Sequence, residues 1–231
     1  PGKANHDGAG GTAPEGDDSS LQKMVQAALG APLGLESIGH VLVPGDRVAV
    51  AVSGSVPRLA ELMDLLREEL RPVVAGSEEL VGTIEFLVAP AALARMKESG
   101  QSFQADEAKG VVIHDPSEPA DHALLATGCD DEPLQINRRL FDADVVVLMT
   151  SRTGEGTSPH GPTDVFPQFG SATCQENQRR QKPSHAARDR ALVDRHLGID
   201  FEIVVQTRPG GAITGLLCGL RQPCDAAAEQ R

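Results

Sequence analysis

The segment Ser53-Gly54-Ser55-Val56-Pro57-Arg58 places two hydroxyls, a glycine and a guanidinium within six residues, directly after an apolar run at 48–52. A turn of that composition between a buried strand and a helix presents N–H groups, hydroxyls and a cation to a small anion. Ser53, Gly54, Ser55 and Arg58 are therefore the candidate ligand- or cofactor-binding residues. The same turn also has a purely structural reading, with Ser55 capping the helix and Pro57 in its first turn. Its spacing is neither a Walker loop nor a dinucleotide fingerprint, both of which need more glycines. His160, in the polar stretch GTSPHGPTD, is the candidate general acid or base, since a loop imidazole titrates near neutrality.

Other chemistry-bearing residues have plainer readings. His114-Asp115 ends a strand, where neighbouring side chains face opposite ways, and Asp115-Pro116 opens a turn. His185 and His196 fall in a charged helical stretch and are expected in solvent. Asn177, Arg179 and Arg180 suit the last turn of a helix. No His, Cys, Asp or Glu set has metal-ligand spacing, so no metal ligand is assigned. The four cysteines, Cys129, Cys174, Cys218 and Cys224, include no CxxC pair. Nothing selects one of their three possible pairings, so reduced thiols in a cytoplasmic protein are expected, with Cys218 as core filling.

The elements that must position these residues follow from periodicity and turn chemistry. Residues 1–20 are rich in Gly, Pro, Asp and Ser and predict a disordered leader; residues 21–231 are read as one domain. Helical spacing marks 21–29, 58–70, 91–97, 173–180 and 186–197. Apolar runs predict strands at 48–52, 83–88, 110–114 and 144–150, with a short strand at 134–137 and a turn at 138–141. Residues 151–171 show no periodicity and are read as a long functional or disordered loop. The turn RPGGA joins 201–206 and 213–217 as a C-terminal β-hairpin. Strands alternating with helices predict an α/β fold, a mostly parallel, Rossmann-like sheet with helices on both faces. Ligands of such sheets sit beyond the carboxyl ends of the strands.

Composition narrows the partners. A net charge of −12 argues against nucleic acid or an anionic membrane, which both need a basic surface. Six scattered Phe, with no Trp or Tyr, cannot build a stacking platform for single strands and leave the core to aliphatic residues. No apolar run approaches the roughly 20 residues of a membrane-spanning helix, and the first residues lack the basic and apolar regions of a secretory signal.

The stretches AALGAPLGLESIGHVLVPGDRVAVAVS, LLREEL, VVIHDP, EPLQINRRLFDADVVVLMTS, FPQFGSATCQENQ and HLGIDFEIVVQTRPGGAITGLLCG occur in that order. Together they resemble the N-terminal domain of the lactate racemase family, the nickel-pincer-nucleotide enzymes, over roughly residues 26–231. The resemblance implies interconversion of 2-hydroxy-acid enantiomers by hydride transfer, with two histidines moving the hydroxyl proton. It also implies a second, C-terminal domain that would be separate or missing here. The active-site motifs diverge. The family's Asp and its Ile-Thr-Arg-Pro type sequence correspond to Gly54-Ser55-Val56-Pro57-Arg58, without the Asp and with the Arg shifted by one. The turn that bears one catalytic His is Ala89-Pro90-Ala91. His160 fills the place of the second with a local shift. The tethering Lys has no counterpart in GPTDVFPQFG, and the nickel-ligating His corresponds to Gln178, beside Asn177. Two functions follow: a divergent 2-hydroxy-acid racemase or epimerase, or a catalytically inactive module binding a small anion or nucleotide. Either way, Ser53, Ser55, Arg58, His114 and residues near 151–160 are expected in one cleft.

Overall fold

The run Arg47–Ser53 forms β1, and every residue of it after Arg47 is buried. A strand apolar on both faces must lie inside a sheet covered on both sides, and β1 does. It pairs in parallel with β2 (Thr83–Val88) on one side and with β6 (Val145–Thr153) on the other. Beyond these lie β3 (Val111–Ile113), β7 (Phe201–Thr207) and β8 (Ile213–Leu220), giving the order β3-β2-β1-β6-β7-β8. Within this six-stranded sheet β7 and β8 alone pair antiparallel, through the expected C-terminal hairpin. The computed structural model describes residues 18–75, 81–98, 100, 103–153, 165–199, 201–221, 224 and 227.

The helices divide between the two faces. Phe86 of β2 lies under Arg67 of α2 (Leu59–Val74), with the guanidinium 5.1 Å from the ring centre. Its neighbour Glu85 reaches the opposite face and pairs with Arg139 of α4 (Arg138–Phe141) at 2.8 Å. Adjacent strand residues point to opposite faces, so α2 and α4 cover different sides. On the α2 side also lies α1 (Asp18–Gly30), packed on α2 and β8. After β2 comes α3 (Pro90–Glu98), which touches β1. The α4 side carries α5 (Val165–Gln168) against β1, then α6 (Ala172–Arg180) and α7 (Pro183–Leu197). The core is aliphatic, with Phe86, Phe166 and Phe169 as its large aromatic members.

Several sequence expectations are corrected. α1 begins at Asp18, so residues 18–20 are helical rather than leader; residues 1–17 lie outside the described residues. Residues 122–127, read as loop, form β4 (His122–Thr127), antiparallel to β5 (Pro133–Asn137) in a separate two-stranded sheet. A bulge between Leu124 and Ala126 breaks the alternation that would have marked this strand. Residues 138–141 are a helical turn capped by Asn137, and β6 runs three residues past Thr150. Residues 165–168 are helical, whereas 154–164 lie outside the described residues. α2 starts at Leu59, after Arg58 in a left-handed conformation, so Ser55 does not cap it and Pro57 precedes its first turn.

Among the described residues no helix is long and apolar enough to cross a membrane. None of the four cysteines forms a disulfide, and Cys218 is buried core as expected.

One glycine fixes how α2 returns to β2. A Cβ on Gly82 would collide with the Val74 carbonyl oxygen and lie 2.9 Å from that of Asp46. Both carbonyls are held by backbone bonds, from Gly45 N at 2.9 Å and Thr83 N at 3.0 Å. Gly82→Ala is expected to cost about 2–3 kcal/mol in urea denaturation, because neither neighbour can move aside.

Candidate functional site

The crossover direction reverses between β1 and β6, since β2 and β3 follow on one side of them and β7 and β8 on the other. At such a switch point the loops leaving the two carboxyl ends diverge to opposite faces and open a crevice. Ser53 ends β1 and is the register partner of Thr150 in β6. Both side chains share the face of Glu85, the α4 face. The ladder continues past β2, as Ala89 N donates to Val52 O at 3.2 Å and His114 N to Val88 O at 3.0 Å. His114, Ala89, Ser53 and Thr150 therefore stand in one row on one face, the first three at the carboxyl ends of β3, β2 and β1 and Thr150 three residues before the end of β6.

The polar atoms in this row differ sharply in their bonding. Ser53 Oγ and Thr150 Oγ1 are buried and have no hydrogen-bond partner among the described residues. Leaving a buried hydroxyl unpaired costs about 1–3 kcal/mol, so two in register are a feature to explain. His114, by contrast, is fully engaged. Its Nε2–H donates to Gly170 O at 3.1 Å and its Nδ1 accepts from Asn137 Nδ2 at 3.1 Å. Burial holds the imidazole below its ordinary pKa, only partly offset by the Gly170 bond. His122 packs edge-on against it with ring centres 5.4 Å apart, and donates from Nδ1 to Glu118 O at 2.8 Å. Asn137 joins the layers, because its Oδ1 also accepts from Arg139 N at 2.9 Å and its own N–H donates to Phe169 O at 2.8 Å. A neutral His114 fixed in this way is a positioning group at the end of the row, matching its structural reading.

The other candidates divide. Gly54 takes φ +100°, which glycine adopts freely, and turns the chain out of β1. Ser55 offers its carbonyl oxygen to Ser151 Oγ at 2.5 Å, tying the two diverging loops together. Arg58 does not face the row of hydroxyls. Its Nε and Nη2 make a fork with Glu61 at 2.6 and 2.5 Å, lining a separate cavity beside α2 and α3. His160 lies outside the described residues. Asp115 is exposed and held below the usual carboxylate range by hydrogen bonds from Ser117.

Two expected solvated groups have partners. His185 Nδ1 lies 2.9 Å from Asp130 Oδ2, and Asn177 Nδ2 donates to Glu132 Oε2 at 2.7 Å. Arg179 and Arg180 do sit in the last turn of α6, pairing with Glu176. Sequence reasoning missed Thr150 and Asn137. Only the tertiary register reveals Thr150, whereas Asn137 was visible as the residue preceding a short helical turn.

Among solved structures, the chain is similar to the lactate racemase apoprotein from Thermoanaerobacterium thermosaccharolyticum. The TM-score is 0.61 at 18% sequence identity, over 91% of this chain and 54% of that one. The fold is therefore lactate-racemase-like, and the chain spans about half the length of that protein. No protein-family model matches the sequence, and no curated protein matches it.

The His114 cluster carries a pH dependence. Its folded-state pKa lies below the unfolded value of about 6.5, so unfolding takes up a proton in the window between them. Stability is complete above about pH 6.5 and declines as pH falls below it, by at most about 1.4 kcal/mol per pH unit. Denaturation titrations of the protein and of His114→Gln should show this slope in the former and its loss in the latter.

Proposed function

We propose that the crevice beyond β1 and β6 binds a small hydroxylated carboxylate, of the class of 2-hydroxy acids, or a similarly small anion. The observation that carries this reading is the pair of buried, unpartnered hydroxyls, Ser53 Oγ and Thr150 Oγ1, in register at the switch point. Two O–H groups side by side donate to a carboxylate and accept from a ligand hydroxyl. The lactate-racemase-like fold supports the choice of ligand class, and the chain acts here as the N-terminal-type domain of a two-domain arrangement.

A catalytic reading, a divergent 2-hydroxy-acid racemase or epimerase, draws its support from the same fold likeness. The residues present do not fit the nickel-pincer nucleotide. Gln178, in the nickel ligand's place, is buried, with its amide nitrogen donating to Gln181 Oε1 at 2.7 Å and Asp189 Oδ2 at 3.2 Å. Its amide is a weak nickel donor even when released. Among the described residues no group of three His, Cys, Asp or Glu side chains could hold a metal. No lysine occurs between Lys109 and Lys182 to tether the nucleotide. We therefore derive no reaction step through that group.

Calorimetric titration with D- and L-lactate tests the binding reading. Ser53→Ala and Thr150→Val should each weaken lactate binding about three- to tenfold while raising the stability of the ligand-free protein by about 1 kcal/mol. Unchanged affinity together with lost stability would make the hydroxyls structural and end the proposal. The catalytic reading gains if protein coexpressed with the cofactor-making proteins carries nickel and a pyridinium absorbance and interconverts the lactate enantiomers.

A further inference from the structure

The two crevice hydroxyls are not the only polar groups left incomplete on their side of the sheet. Gln168, the last residue of α5, holds its side-chain Oε1 buried and without a hydrogen-bond partner among the described residues. We propose that Gln168 Oε1 accepts a hydrogen bond from the ligand's hydroxyl and so makes the crevice selective for 2-hydroxy acids over plain and 2-oxo carboxylates. This inference rests on the ligand class proposed above and adds the residue that tells its members from close analogues.

The elements around β1 place Gln168 at that crevice. On this face α4 lies over the early part of β1, because Arg139 pairs with Glu85 and Glu85 stands in register with Ala49. α5 packs on the same strand and takes the part that α4 leaves, toward Ala51 and Ser53. The residues after α5 reach the end of the row. Gly170 O accepts from His114 Nε2 at 3.1 Å, and the centre of the Phe169 ring lies 5.7 Å from that of His114. Residues 165–170 therefore run over the row between Ser53 and His114. Gln175 Nε2 pins this segment by donating to Gln168 O at 3.3 Å and to Gly170 O at 3.1 Å. The Gln168 backbone is thus fixed, whereas no hydrogen bond among the described residues commits its side-chain amide.

The three incomplete groups have complementary requirements. Ser53 and Thr150 carry O–H groups that can donate, whereas an amide oxygen can only accept. A carboxylate set against Gln168 Oε1 would bring two acceptors face to face. The amide oxygen must therefore meet the other end of the ligand, where a hydroxyl supplies the donor. A carboxylic acid without that hydroxyl leaves Oε1 unpaired. A 2-oxo group brings a further acceptor and turns a missing bond into a repulsion. A site built to bond a hydroxyl rejects analogues lacking it far more strongly than an apolar pocket does. Gln178 Oε1 is also unpartnered, but there the amide nitrogen is committed to Gln181 and Asp189 in the joint of α6 with α7.

Calorimetric titration with D-lactate, L-lactate, propionate and pyruvate at one pH provides the test. The better-bound lactate enantiomer should bind about tenfold or more tighter than propionate, and pyruvate no better than propionate. Gln168→Leu and Gln168→Met keep the bulk and remove the amide oxygen, with thermal melts reporting folding of each. In either folded variant the preference for lactate over propionate should fall to about twofold or less, with propionate affinity nearly unchanged. Ser53→Ala should weaken lactate and propionate together, since it acts on the carboxylate they share. The proposal is overturned if propionate or pyruvate binds the unmodified protein as tightly as lactate, or if a folded Gln168 variant keeps the full preference. If none of the four binds, or if Ser53→Ala changes no affinity, the crevice reading itself fails and this one with it.

Discussion

The parallel pairing of β1 with β6 is the constraint on which the rest of the molecule depends. It joins two runs, Arg47–Ser53 and Val145–Thr153, that are far apart in sequence and apolar over 48–52 and 145–149, in a register from Val48↔Val145 to Ser53↔Thr150. Both strands are buried on both faces, so each face demands a covering layer, and the chain between them must supply one. It does so with β4, β5 and α4 on one face, while α1 and α2 close the other. A register slip of one residue would turn Ser53 and Thr150 to the opposite face. The same pairing that forms the core thus determines where two hydroxyls end up.

The covering layer is anchored by few polar contacts, and Asn137 makes three of them. It caps α4, donates its backbone N–H to Phe169 O and fixes the tautomer of His114. Because His114 must accept at Nδ1 and donate at Nε2 at once, only the neutral Nε2–H form satisfies both neighbours. Burial and the bond accepted from Asn137 both favour the neutral ring, against the opposing pull of the Gly170 carbonyl. An imidazole committed in this way orients what surrounds it and is poorly suited to carry a proton.

The sheet was legible in the sequence wherever apolar runs were long. The 83–88 strand and the hairpin around RPGGA lie as read, because β2 is an apolar run, β7 is buried throughout and the hairpin turn contains Gly and Pro. The fold family was legible from the order of whole segments rather than from active-site motifs. β4 was not, because its bulge mixes faces and its pairing with β5 is tertiary. Arg58 was misread as helical because nothing local announces a left-handed non-glycine residue. Thr150 looked like the end of an apolar strand. Its importance came only from a partner almost a hundred residues away.

The stability of this lactate-racemase-like fold resides away from the crevice beyond β1 and β6. The fold rests on Val- and Ala-rich β1, on β6 and on the helix faces that cover them. None of these needs a catalytic His, a tethering Lys or a metal ligand. Gln178 joins α6 to α7, since its amide donates to Gln181 and to the buried Asp189 carboxylate, which also accepts from Cys129 N at 2.8 Å. Buried hydroxyls obey the opposite logic: unpartnered, they detract from stability, so the core alone gives no reason for Ser53 and Thr150 to stand in register. The ligand we propose would complete their hydrogen bonds.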